Sequence, residues 1–507
     1  MRLFLVIPDL FVVFQKISVA AGSSEVFSPL CQQLMRNCVK VAHHNEDEGM
    51  TTFDVLGLPK SQIKNLKDLG YAAMTEVQAA ALPAALAGQD LLVQAKTGSG
   101  KTAAFGLPLL GFINPRDFGA QALVLCPTRE LANQVASEIR RLARYQANLK
   151  VVVLSGGQPI GPQIGSLEHG AHVVVGTPGR LKDHLRKKTL KLSRLKVLVL
   201  DEADRMLDMG FSEDLDDIIR QTPRTRQTLL FSATFPEDIA SISGKYQNNP
   251  TRVTVSVQVA ANQIEQRVYE VARRDKLQAL QGLLQAEQPE AAIVFCQTKD
   301  AVRELEQNLR AVGVFVLSLH GDLEQRERDQ VLVQFKQQSC RLLIATDVAA
   351  RGLDIEALPM VMNFDIPLDA DAYVHRIGRT GRADAKGLAV TLMTSRERHR
   401  LEAIESRIEG SLIVLSPPKF NEHLALLSAP DYATVELSVG RRDKIRPGDV
   451  LGAITGSMGF SGDIVGKIEV AQRATFVAIQ RDQVKAVLAK IASGKVKGRA
   501  VKVRRLS

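Results

Sequence analysis

Residues 91–102 read LLVQAKTGSGKT, an apolar run that ends in a glycine-rich turn and continues into a helical pattern through Lys101 and Thr102. A short buried strand, a flexible turn and a helix start, in that order, point backbone N–H groups at an anionic phosphate. The phosphate-loop pattern GxxxxGK[ST] has Ala95 in place of its first glycine, Lys96 and Thr97 follow, and Gly98, Ser99 and Gly100 supply the turn. Lys101 is then placed to reach the β- and γ-phosphates of a nucleotide, and the Thr102 hydroxyl to ligate Mg²⁺.

Outward from this loop the chain alternates aliphatic runs with helical stretches. Candidate strands are 91–95, 123–126, 151–154, 172–175, 197–200 and 228–231, then 292–296, 314–319, 342–345, 361–364 and 388–393. Continuous apolar strands separated by helices imply parallel sheets covered on both faces, here two α/β domains in tandem. A Pro-containing stretch closes the second, and the last 77 residues read β-α-β-β-α-β, the order of an RRM-like α+β unit. The expected boundaries are an N-terminal extension at 1–49, domains at 50–250 and 263–415 with a linker at 251–262, a second linker at 416–430, and the small domain at 431–507.

Composition narrows the class. At 507 residues, with 45% hydrophobic and 24% charged content, the chain is neither collagen-like nor disordered as a whole. No apolar run reaches the ~18 residues of a membrane span. Tryptophan is absent and aromatics are 5%, so the cores must be aliphatic. Residues 430–507 hold 15 Lys/Arg against 7 Asp/Glu, most of the whole chain's net +10, which suits nucleic acid. Five cysteines form no CxxC pair, and Cys126 and Cys296 fall inside aliphatic runs as inert core thiols in a reducing compartment. Residues 3–14 imitate a signal-peptide core, but Pro8 and Asp9 interrupt it. The stretch before Met50 reads either as an extension or as the result of a mis-assigned start.

Residues 200–204, LDEAD, end an apolar strand. A carboxylate at a strand end of the same sheet can meet the metal held by Thr102, which makes Asp201 the metal partner. Glu202 is placed to orient or deprotonate the attacking water.

Here the sequence resembles the DEAD-box RNA helicases, built from two RecA-like domains, over about residues 53–393. Residues 70–78 (GYAAMTEVQ), with Phe53 seventeen residues upstream, resemble the family's adenine-reading motif, although Met74 stands where the family usually has Pro. Gln78 and Thr75 would read the base and Phe53 would stack on it. PTRELA (127–132), Gly156-Gly157 and TPGR (177–180) match the first domain's RNA motifs, implicating Arg129, Gly157, Thr177 and Arg180. SAT (232–234) matches the motif that couples hydrolysis to strand separation, through Ser232 and Thr234. In the second domain IVFCQT (293–298), Gln325 with Arg328, and ATDVAARGLD (345–354) imply RNA contacts at Thr298, Arg328 and Thr346, and a nucleotide contact at Asp354. HRIGRTGR (375–382) resembles the arginine-finger motif, with His375 in coupling and Arg379 and Arg382 approaching the γ-phosphate on closure.

The resemblance implies an ATP- and Mg²⁺-dependent enzyme that hydrolyses ATP on RNA and separates short duplexes. An RRM-like appendage narrows the likeness to the bacterial DbpA-type subfamily, associated with 23S ribosomal RNA and pre-50S particles, in a cytoplasmic monomer that does not engage membranes. Only Phe476 is available for base stacking on the two central strands. The charges point instead to a backbone grip by Arg441, Arg442, Lys444, Lys495, Lys497, Arg499, Lys502, Arg504 and Arg505. Alternatives are an ATP-gated RNA clamp with little unwinding, a member of the family acting on other RNAs, and a DNA helicase of the same superfamily. A GTPase is disfavoured, since no NKxD motif occurs.

Overall fold

Strands β1 (Leu91–Gln94), β2 (Ala122–Leu125), β3 (Val151–Leu154), β4 (Val173–Gly176), β5 (Val197–Leu200), β6 (Gln227–Ser232) and β7 (Thr251–Thr254) form one sheet. Their order is β3-β4-β2-β5-β6-β1-β7, and every pair is parallel. The structure, a computed structural model, describes residues 52–95, 98–234, 237–255, 264–350, 358–381, 386–408 and 411–506. The expectations for residues 1–49, including the alternative start, lie outside the described residues. The chain divides between Val255 and Ser256 into two units.

The second unit repeats the first. Strands β8 (Ile264–Glu270), β9 (Ala292–Cys296), β10 (Val316–Leu319), β11 (Leu342–Thr346), β12 (Met360–Asn363), β13 (Gly387–Met393) and β14 (Ile413–Leu415) are ordered β10-β11-β9-β12-β13-β8-β14, again all parallel. Numbered from its own first strand, each sheet has the order 3-4-2-5-6-1-7. Helices cover both faces, and the two-residue period of a strand divides the side chains between them. Leu91 and Val93 join one core cluster while Leu92 joins the other. In the second sheet Val294 and Cys296 face one side, Ile293 and Phe295 the other. Cys126, Cys296 and Cys340 are all fully buried, as expected of the first two, and burial pushes all three thiols upward.

Three strands escaped the sequence reading. β7 (TRVT), placed in the first linker, is an edge strand that buries only Val253, so it lacks an apolar run. β8 (IEQRVYE) buries only Ile264, Val268 and Tyr269 and so lacks a continuous apolar run, and β14 is three exposed residues.

The C-terminal domain is as expected: β15 (Tyr432–Leu437), helix Pro447–Gly452, β16 (Val465–Val470), β17 (Thr475–Gln480), helix Val484–Ser493 and β18 (Val503–Arg505). Its antiparallel order is β16-β17-β15-β18. Gln483 caps the second helix.

This small sheet does not present a free face. Phe476 is 7% exposed and packs with Leu506 against Val333 of helix Gln325–Lys336. The Thr434 hydroxyl donates to Gln337 Oε1 at 3.0 Å and lies 2.8 Å from Ser339 Oγ. The Gln337 amide donates to the Phe476 carbonyl at 3.1 Å, all of it buried. Ala433, Val435 and Leu437 point the other way, into the domain's own core. Residues 416–430, expected as a linker, lie along helix Lys276–Glu287. Gln285 donates to the carbonyls of Asn421 and Leu424, and Gln288 to that of Leu426. A Cβ at Gly282 would meet the Pro418 carbonyl at 2.3 Å, so only glycine lets the segment approach so closely.

Candidate functional site

The phosphate loop leaves β1 at Ala95 and enters helix Lys101–Gly111 through Gly98 (φ +81) and Gly100 (φ +89), left-handed positions that favour glycine. Lys96 and Thr97 lie outside the described residues. The Lys101 ammonium, 6% exposed, donates to the Ala95 carbonyl at 3.1 Å, folding the side chain back across the loop. Helix Glu76–Leu86 braces the same loop. The Thr75 hydroxyl donates to Ser99 O at 2.7 Å and the Gln78 amide to Gly100 O at 3.0 Å, while Gln78 Oε1 accepts from Thr75 N. A Cβ on Gly100 would lie 2.4 Å from Gln78 Nε2. Phe53 is 3% exposed with its ring edge-on to Tyr71, centroids 6.0 Å apart. The structure therefore builds this ring into the core, where Met74 also packs.

Asp201, Glu202 and Asp204 follow β5, all 3–4% exposed. Burial pushes the Asp201 carboxyl up to about 6; the Lys101 ammonium opposes the rise and Glu202 adds to it. Asp201 Oδ1 is buried with no hydrogen-bond partner among the described residues. A carboxylate oxygen so enclosed, raised by desolvation and beside Lys101, fits a divalent cation shared with nucleotide phosphates. No cluster of three or more protein ligands occurs among the described residues. An Mg²⁺ held chiefly by phosphates and water needs none.

Glu202 caps helix Ala203–Asp208 at φ +54, a left-handed position uncommon for a residue with a side chain. Asp204 Oδ2 accepts from Ala233 N, Thr234 N and Thr234 Oγ1, each at 3.1 Å, and the Ser232 hydroxyl donates to Thr234 O at 2.6 Å. The acidic cluster is thereby bolted to residues 232–234 at the end of the adjacent strand β6. The sequence reading gave Asp204 no role, although its place three residues after Asp201 was in view.

The first unit's other motif residues sit beyond the carboxyl ends of β2, β3 and β4. Arg129 opens helix Arg129–Leu142, whose cap Thr128 accepts from Leu131 N. Its guanidinium crosses Gly156 and Gly157, where a Cβ on Gly157 (φ +70) would lie 1.5 Å from Nη1. The glycine pair, expected as part of an RNA motif, here admits an arginine side chain. Thr177 caps helix Pro178–Arg186, and Arg180 donates to Gln158 O at 2.9 Å.

In the second unit, Thr298 caps helix Lys299–Ala311 and its hydroxyl accepts from Ala301 N. Arg328 donates to Ala349 O at 2.6 Å, and Thr346 Oγ1 accepts from Ala349 N at 3.4 Å. His375 lies on helix Ala370–Ile377 and Arg379 just beyond it, the latter 6% exposed. Asp354 and Arg382 lie outside the described residues. Sequence reasoning missed Arg376, 2% exposed, which grips Asp347 with two bonds and Asn363 and Asp365 with one each.

The expected C-terminal cations divide into two groups. Arg504 pairs with Glu436 at 2.5 Å, Lys497 with Asp449 and Arg499 with Asp443, both at 2.9 Å. These three are partly neutralised at home. Arg441 and Arg442 occupy a turn whose backbone bonds to Ala471 and Gln472, which brings Arg473 beside them. Lys495, Lys502 and Arg505 lie in the last turn and at the last strand, all three exposed.

Two like parallel sheets, with a phosphate loop and strand-end acid cluster on the first and an arginine motif on the second, define a nucleoside-triphosphatase of tandem RecA-like domains. The DEAD/DEAH box helicase profile matches residues 75–242, the helicase conserved C-terminal domain 275–384 and the DbpA RNA binding domain 434–505. The chain is 52% identical to the ATP-dependent RNA helicase DbpA of Escherichia coli (strain K12), over 90% of this chain and all of that one. It is 39% identical to DbpA of Bacillus subtilis (strain 168), over 87% and 96%. Among solved structures, S. cerevisiae Dbp5 bound to RNA and ADP BeF3 is similar, with TM-score 0.66 and 32% identity over 72% of this chain and 96% of that one. The chain belongs to the DEAD-box ATP-dependent RNA helicases, in the branch that carries a DbpA RNA-binding domain.

Proposed function

We propose that this RNA-dependent ATPase separates short RNA duplexes locally, addressed by its C-terminal domain to 23S ribosomal RNA in pre-50S particles. The observation that carries the catalytic reading is the buried acid cluster after β5, beside Lys101 and bonded through Asp204 to Ala233 and Thr234. Thr102 and Asp201 would hold Mg²⁺, which when bound neutralises phosphate charge. Lys101 binds the β- and γ-phosphates, Gln78 selects adenine, and Glu202 accepts the proton of the attacking water. Arg379 and Arg382 stabilise the spread charge of the transferring phosphoryl group. ATP and RNA each favour the same closed state, so each strengthens the other's binding. The bonds from Ala233 and Thr234 to Asp204, with Ser232 bonded in turn to Thr234, support a direct route from the nucleotide to the strand-separating segment.

The rRNA address rests on the likeness to the two DbpA helicases and on the basic turn at Arg441 and Arg442. Steady-state ATPase of the full chain, stimulated by 23S fragments or by random RNA of equal length, tests it. Stimulation at lower concentrations of one 23S region supports the address. Equal stimulation by all RNAs at physiological salt removes it and leaves the helicase reading intact. A cytoplasmic monomer completes the proposal.

A further inference from the structure

Helix Ala203–Asp208 turns a buried cation back toward the carboxylates from which it starts. Arg205 is 4% exposed, and its Nη1 lies 3.1 Å from Oε2 of Glu202. The geometry follows from spacing. Glu202 is the cap and Arg205 stands three residues on, and helical side chains lean toward the N-terminus, so the guanidinium falls back over the cap residue. Glu202 is the only ion-pair partner of Arg205 among the described residues.

Charge explains why an arginine is held there. Asp201, Glu202 and Asp204 are three enclosed carboxylates within four positions, and Lys101 is another cation beside them. Asp204 spends its oxygens on Ala233, Thr234 and the Arg205 amide, so the Arg205 side chain is left to serve Glu202. The contact is an ion pair without hydrogen-bond alignment. An ion pair at this distance fixes which way the carboxylate faces, and a carboxylate that acts as a base must face the water it deprotonates.

We propose that Arg205 is a positioning residue for hydrolysis: its guanidinium fixes the orientation of the Glu202 carboxylate toward the attacking water. The proposal rests on the reading of Glu202 as the base. It predicts that Arg205 acts on turnover and not on nucleotide or RNA affinity, and that it acts only through Glu202.

The test is single-turnover and steady-state ATPase of the full chain on saturating RNA, for Arg205→Met, Arg205→Lys, Glu202→Gln and Glu202→Gln/Arg205→Met. Thermal melting and ATP binding are measured alongside. Arg205→Met should lower kcat by roughly 10- to 100-fold, the scale of a misplaced catalytic group, with KM for ATP and RNA within about twofold. Arg205→Lys should recover part of the loss. The double variant should be no slower than Glu202→Gln alone, because a positioning residue has nothing left to position. Multiplicative losses in the double variant, or native kcat in a folded Arg205→Met, overturn the proposal. If Arg205→Met does not fold, Arg205→Lys decides: native kcat, or equal loss on the Glu202→Gln background, sinks it. Native turnover by Glu202→Gln would instead sink the base assignment, a separable result.

Discussion

Arg376 donates through Nε and Nη2 to the two carboxylate oxygens of Asp347, both at 2.6 Å, while its Nη1 reaches Asn363 Oδ1 and the Asp365 carbonyl. The guanidinium also lies over the Phe295 ring, 5.1 Å from its centroid. One buried arginine thus joins the ends of β9, β11 and β12 to the helix that leads to Arg379. Thr346 directly precedes Asp347, so the expected RNA and nucleotide contacts of this unit share a single brace.

Breaking the brace from one side should cost more than removing it. Asp347→Ala leaves the 2%-exposed Arg376 charge without its carboxylate and should destabilise the second unit by about 3–5 kcal/mol. Adding Arg376→Met should restore part of that loss. Urea denaturation checks both, and a double variant less stable than Asp347→Ala would contradict the argument.

Much of this architecture was legible because parallel strands buried on both faces must be apolar throughout. The phosphate loop, LDEAD and the order of the C-terminal domain carried their chemistry in contiguous residues. Contacts set by tertiary packing were not legible. Arg376, Arg205 and Asp204 take their roles from side chains brought close by the fold. The occlusion of Phe476 required knowing where helix Gln325–Lys336 lies. β7 and β14 were missed because edge strands need not alternate cleanly.

Gln78→Ala should weaken ATP binding and flatten the preference for ATP over GTP. It removes the amide proposed to read adenine and also the bonds to Gly100 O and Thr75 N that brace the phosphate loop. Nucleotide titration in the absence of RNA measures this. Equal use of GTP and ATP by the parent chain would refute the adenine assignment.

Gly157→Ala should lower RNA affinity by roughly tenfold, the loss of one charge-assisted contact. The methyl group would occupy the place of the Arg129 guanidinium and strain a backbone at φ +70. ATP affinity without RNA should not change. Native RNA binding would show that Arg129 does not need this seat.

In the C-terminal domain, stability and RNA binding should separate. Phe476→Ala should cost about 3–5 kcal/mol as a buried aromatic truncation, because the ring packs on Val333 and Leu506. Arg441→Glu with Arg442→Glu should leave melting unchanged and weaken RNA binding. Each lost phosphate contact should reduce the log–log salt slope by about 0.7–0.9. Binding isotherms of the full chain at several salt concentrations decide it, and an unaltered slope would remove these arginines from the interface.

The most direct test is phosphate release by the full chain, with and without RNA, in the parent and in Glu202→Gln. Turnover in the parent should rise sharply with RNA. In the variant it should fall by about 10²–10⁴, the usual contribution of a positioned base, while ATP remains bound. Turnover that ignores RNA, or that survives in Glu202→Gln, would contradict the assignment of RNA-gated hydrolysis to the carboxylates after β5.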